Sequence, residues 1–142
     1  MPVKLLQLLL VMVLIGSAAA GGSRAKDAAM WMTVGEKRFA ISLADTPAAR
    51  AFAERLPLTL DMPDLNANEK HATLAKPLPA NSTRPGTIRS GDIMLYGTNT
   101  LVVFYVTFES TYSYTRIGRV DDASRLAQTL GSGTVRVVFS KD

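Results

Sequence analysis

Glu69-Lys70-His71 is a run of three titratable side chains that includes the sequence's one imidazole. A carboxylate there could act as a base, and His71 could change charge near neutral pH. The plainer alternative is an exposed loop with a local ion pair worth less than about 1 kcal/mol. Just upstream, Asp64-x-Asn66-x-Asn68 has the alternating oxygen side chains of a calcium loop. The sharp turn of such a loop needs Gly where Glu69 stands, and its bidentate acid falls on Ala75. Asn and Asp side chains bonded to their own backbone account for the same spacing. His71 is the only imidazole and there is no cysteine, so a zinc site or a thiol nucleophile has no ligand set. No Ser occupies a G-x-S-x-G elbow, and Gly131-Ser132-Gly133 reads as a helix-to-strand turn. No cofactor, metal or catalytic residue is expected.

A second constellation is aromatic. Tyr112, Tyr114 and Arg116 share one face of a regular strand, and Tyr96, Phe104 and Tyr105 lie on a neighbouring hairpin. Together they could line the mouth of a recess for a planar or anionic ligand, with Arg116 as its charge partner and Asn66 and Glu69 at the rim. The alternative is core aromatics plus an exposed Arg.

The elements that must position these side chains are short. Met30–Val34 and Arg38–Leu43 form a hairpin around Gly35-Glu36-Lys37. Thr46 suits an N-cap and Pro47 the first helical position, with Ala49, Phe52, Ala53 and Leu56 on one apolar stripe and Pro57 as the stop. Leu58–Met62 reads as a strand, the stretch from Asp64 to Lys70 as a turn-rich loop, and Ala72–Leu78 as an edge strand flanked by Pro77 and Pro79. Ile93–Tyr96 and Leu101–Phe108 are dense apolar runs around the break Gly97–Thr100. The second run barely alternates, so it is expected to be covered on both faces. Tyr112–Val120 and Thr134–Phe139 read as strands. Between them Asp121 or Asp122 caps a helix carrying Ala123, Leu126, Ala127 and Leu130 and ending at Gly131. Many short strands at close spacing predict a mainly β fold: a closed barrel of about eight strands with two short helices.

The N-terminus has its own pattern. Lys4, the apolar run Leu5–Ile15 and the small residues Gly16–Ala20, ending in A-x-A, have the layout of a secretory signal peptide cleaved before Gly21. Residues 21–29 read as a flexible lead and residues 30–142 as the domain. The expected address is bacterial, periplasmic or secreted, with no membrane span after cleavage; the alternative is a membrane anchor that is never cut, for which the apolar run is short of the roughly 20 residues a span needs. The net charge of +4 is scattered without runs, which gives no reason to expect a nucleic-acid partner.

Taken in order, Leu56-Pro57-Leu58-Thr59-Leu60, Asn66-x-Asn68-Glu69-Lys70, Ala75–Pro79, Gly91–Tyr96, Leu101–Tyr105, Tyr114–Arg119 and Thr134–Phe139 resemble the bacterial cyclophilin-like domain family. The resemblance runs from about Met30 to Phe139 and implies a cyclophilin-type barrel with a helix at each end. True cyclophilins surround a proline pocket with an Arg and a set of Phe, Met, Gln, Trp and His in motifs such as FHRV. The sequence has no such motif, and Trp31 and His71 stand outside any such context. The expected function is a non-enzymatic, monomeric binding module for a small molecule or peptide. The alternative is a peptidyl-prolyl isomerase or another enzyme on the same barrel.

Overall fold

The computed structural model describes residues 29–142. The expected signal peptide lies outside the described residues. In chain order the elements are β1 (Met30–Val34), β2 (Lys37–Leu43), α1 (Pro47–Glu54), β3 (Leu58–Met62), β4 (Asp64–Leu65), β5 (Glu69–Thr73), β6 (Thr87–Ile88), β7 (Asp92–Tyr96), β8 (Thr100–Phe104), β9 (Phe108–Glu109), β10 (Thr115–Val120), α2 (Leu126–Leu130) and β11 (Val135–Lys141). Nine strands form one antiparallel sheet in the order β3-β11-β1-β2-β10-β7-β8-β5-β4, while β6 and β9 pair separately.

The sheet curls into a nearly closed barrel because its two edges are consecutive in the chain. β3 pairs with β11 and β4 pairs with β5, with only Pro63 between β3 and β4. The Pro63 carbonyl accepts the His71 amide at 3.1 Å across this seam. Inward-facing Met32, Ile41, Ile93, Leu95, Leu101, Val103, Val137 and Phe139 belong to one interior cluster. Both helices contribute to it. Phe52 of α1 meets Phe139 edge to face at 5.3 Å, and α2 adds Leu126 and Leu130. Burying a side chain of this size contributes about 1.5–3 kcal/mol.

Continuous burial of β8 from Leu101 to Phe104 follows from a second apolar cluster on the other face of the wall. Met94, Val102, Phe104 and Tyr114 pack there beneath Ile88 of β6 and Phe108 of β9. The two-residue ribbon β6–β9 is the outer cover that the unalternating run requires.

Four elements differ from the sequence expectation. The run Leu101–Phe108 is covered on both faces only as far as Phe104: β8 ends there, Val106 is 39% exposed, and Phe108 belongs to β9. The strand expected over Ala72–Leu78 lies at Glu69–Thr73, the stretch that reads as a polar loop. Five register pairs with β8 hold it as a strand, whereas Leu74 and Leu78 are buried from an unpaired segment whose prolines cannot donate to a ladder. The strand expected to start at Tyr112 starts at Thr115, with Tyr114 held only by an isolated bridge to Thr83. α2 begins at Leu126 with Arg125 at its N-cap and no side-chain cap, because Asp122 instead accepts the Ser124 amide at 3.1 Å and Asp121 accepts the Ser42 hydroxyl. α1 matches its reading closely: the Thr46 hydroxyl accepts the Ala49 amide at 3.0 Å, and Pro47 is its first residue.

Candidate functional site

Alternation along β5 sends its polar residues to opposite sides of the barrel wall. Glu69 and His71 face outward, opposite Phe104 and Val102 of β8. Lys70 points the other way and is fully buried. The expected exposed loop is therefore a strand buried at the barrel seam, and its charges serve two separate environments.

On the outer side, Leu65, Asn66, Glu69, His71, Tyr96, Thr100, Val102, Tyr112 and Tyr114 line a recess of about 260 Å³. Tyr96 ends β7 and meets Tyr112 at 6.2 Å and 86°, and Tyr114 at 5.8 Å and 57°. Phe104 supports this wall from behind, edge to face with Tyr114 at 5.5 Å. Asn66 and Ala67 form the turn between β4 and β5, both at positive φ, 56° and 55°. That conformation is uncommon for residues other than Gly, Asn or Asp, so Ala67 carries backbone strain beside the recess.

Glu69 is only 8% exposed, and its carboxyl accepts no hydrogen bond from the described residues. Burial, and secondarily the negative charge of Asp64, raise its pKa above the ordinary value. Burial likewise pushes the Tyr114 hydroxyl up. A raised folded value means that the folded chain holds this proton more tightly than the unfolded chain. Glu69 thus costs stability progressively as pH rises from the ordinary glutamate range through its folded value. Glu69→Gln is expected to raise the melting temperature at neutral pH by about 2–4 °C. The gain should vanish below about pH 4, where both states are protonated. A variant that melts lower than the parent at neutral pH would show that the ionised carboxylate is structural.

On the inner side, the Lys70 ammonium donates to Asp64 Oδ1 at 3.0 Å and to the Gly133 carbonyl at 2.6 Å. Asp64 also accepts the Tyr105 hydroxyl and, through Oδ2, the Ala67 amide at 3.1 Å. The Tyr105 bond, partly offset by burial, and then Lys70 hold the Asp64 carboxyl below its ordinary range. Burial first, and then Asp64, push Tyr105 up to about 12. A lysine side chain thus takes the place on Asp64 that a calcium ion would need. Among the described residues no three His, Asp or Glu side chains converge on a metal position.

Of the eight residues picked from the sequence, the structure brings Asn66, Glu69, Tyr96, Tyr112 and Tyr114 to one recess and places Phe104 behind it. Tyr105 faces the Asp64–Lys70 pair instead. Arg116 lines a different recess, of about 300 Å³, with Arg89, Arg119, Asp92, Ser42 and Thr87. The shared face expected for Tyr112, Tyr114 and Arg116 fails because the regular strand begins only at Thr115 and its pairing with β7 shifts between Arg116 and Gly118.

The cyclophilin-like family model matches residues 32–140. The chain belongs to the cyclophilin-like family. The match spans the barrel from β1 into β11, including both recesses and the buried Lys70 pair. No curated protein matches the sequence.

Proposed function

We propose that this cyclophilin-like chain is an exported binding domain that holds a small molecule or a peptide segment in the recess walled by Tyr96, Tyr112 and Tyr114. The observation that supports this most is a concave group of aromatics left open to water. Tyr96 and Tyr112 are 49% and 63% exposed around a cavity floored by buried Val102. Exposed aromatics gathered in a concavity are characteristic of ligand sites, where ring faces supply contact area at low entropic cost. The export part rests on the Leu5–Ile15 run and its A-x-A ending. Among the described residues no helix is long and apolar enough to cross a membrane.

Mass spectrometry of small molecules and peptides released from the purified mature domain tests the binding. Tyr96→Ala should lose the bound species, or weaken it by about tenfold or more (roughly 1.4 kcal/mol), without loss of fold. Retention of the same species by Tyr96→Ala and Tyr112→Ala would place binding elsewhere. Export predicts that N-terminal sequencing of the secreted form starts at Gly21, and a cytosolic chain starting at Met1 would refute it. The alternative, a peptidyl-prolyl isomerase, has support only from the likeness of the barrel, a weak warrant for activity. A proline-peptide assay well above the uncatalysed rate, lost on substitution of Tyr96 or Tyr114, would favour it.

A further inference from the structure

We propose that the tyrosine-walled recess recognises an organic cation, a methylated or otherwise alkylated ammonium group, seated between the rings and the Glu69 carboxylate. The inference rests on the binding reading above and gives that site a ligand chemistry. Three observations carry it.

The Tyr96 ring is perpendicular to that of Tyr112, at 86°, and tilted against that of Tyr114, at 57°, rather than stacked on either. Non-parallel rings spaced at 5.8 and 6.2 Å can turn electron-rich faces on one group from more than one direction. Alkylammonium ions are held this way, because the ring quadrupole attracts a cation within about 6 Å of the ring centroid.

Glu69 supplies the matching charge. It is more than nine-tenths buried, lines the recess and has no hydrogen-bond donor among the described residues. Its oxygens are not among the fully buried atoms without a partner, so they reach the recess, where an incoming cation offsets the cost of holding a carboxylate largely out of water.

The lining excludes the opposite choice. No lysine or arginine lines the recess among the described residues. Lys70 is turned to the other side of the wall and committed to Asp64 and Gly133, and Arg116 lies in the other recess. The side chains around Glu69 are His71 on the same strand, Asp64 across the hairpin and the tyrosines; none of them is a lysine or an arginine. An anionic ligand, one of the two kinds expected with Arg116 among the tyrosines, would meet Glu69 with no counter-charge.

The test uses the mature domain at neutral pH and low salt, with binding followed by NMR shifts of the tyrosine rings. The probes are choline, its uncharged isostere 3,3-dimethyl-1-butanol, and a short peptide carrying one trimethyllysine. The expected result is saturable binding of choline or the peptide, about tenfold or more tighter than the isostere. Glu69→Gln and Tyr96→Ala should each weaken it by a similar factor while both variants stay folded. The tighter of choline and the peptide identifies the carrier of the cation. Equal binding of the isostere, or unchanged affinity in Glu69→Gln, overturns the cation assignment and leaves the aromatic recess as a binding site. No saturable binding of either cation overturns it too, while material released from Tyr96-dependent sites would still uphold the broader reading.

Discussion

Asp64→Ala is expected to destabilise the barrel by about 3–5 kcal/mol, the cost of leaving a buried charge without its counter-ion. Lys70 is fully buried and its ammonium has two oxygen partners, Asp64 and the Gly133 carbonyl. The alanine variant keeps only the neutral carbonyl. The reverse substitution should cost far less. In Lys70→Met the buried ammonium is gone, and Asp64, whose side chain is 20% exposed, retains the Tyr105 hydroxyl, the Ala67 amide and some water. Lys70→Met is therefore expected within about 1 kcal/mol of the parent, in line with buried ion pairs replaced by apolar residues. Urea or guanidinium unfolding of both variants and the double mutant measures this. Equal costs for Asp64→Ala and Lys70→Met would mean that the pair is not desolvated as described.

The same carboxylate sets the acid limit of the fold. Its folded pKa lies below the ordinary value, chiefly through the Tyr105 hydrogen bond and then Lys70. The stability it contributes is complete above the ordinary aspartate range and disappears as pH falls through the folded value. Glu69 has the opposite sign, since its folded value is raised. The two carboxylates, one on each side of the wall at the barrel seam, thus pull the pH profile in contrary directions. The cost at Glu69 is one that a ligand-binding site would tolerate, as sites commonly retain groups that cost stability.

Gly118→Ala is expected to cost ~3 kcal/mol, the upper end for overpacking, because the obstacle is main chain rather than a movable side chain. A Cβ at Gly118 would overlap the Ser42 carbonyl oxygen and lie 3.2 Å from Leu43 Cα. β10 pairs with β2 on one side and with β7 on the other at this residue, so neither neighbour can withdraw without opening a ladder. Gly133→Ala is the control: a Cβ there meets nothing within 4 Å, and its change should stay within about 0.5 kcal/mol. Thermal and denaturant unfolding of the two variants decides the matter. A Gly118→Ala protein as stable as the control would show that β2 and β10 lie farther apart than described.

Legibility of the site in the sequence was uneven for a physical reason. Tyr96 and Tyr114 are legible as aromatics of a hairpin and a neighbouring strand, and Asn66 and Glu69 as the oxygen-bearing and titratable members of a polar stretch; the fold brings all four to one recess. Arg116 was grouped with the tyrosines on the assumption of an unbroken strand from Tyr112, and the late start of β10 at Thr115 separates them. Lys70 carried no local mark of burial. Three successive ionisable residues resemble a solvated loop, and only pairing with β8 makes them a strand whose alternate members enter different environments.

By itself the sequence determined what is decided within a few residues. The Thr46–Pro47 helix start, the β1–β2 hairpin, the strand Leu58–Met62 and the two-faced burial of the first half of the run Leu101–Phe108 follow from caps, turn glycines and apolar spacing. Tertiary structure alone decided the joining of β3 and β4 into a barrel seam, the burial of Lys70 beside Asp64, and the gathering of three tyrosines around Glu69. Backbone preference acts over one turn of chain, whereas the cost of burying a charge is set by whatever distant strand lies across from it.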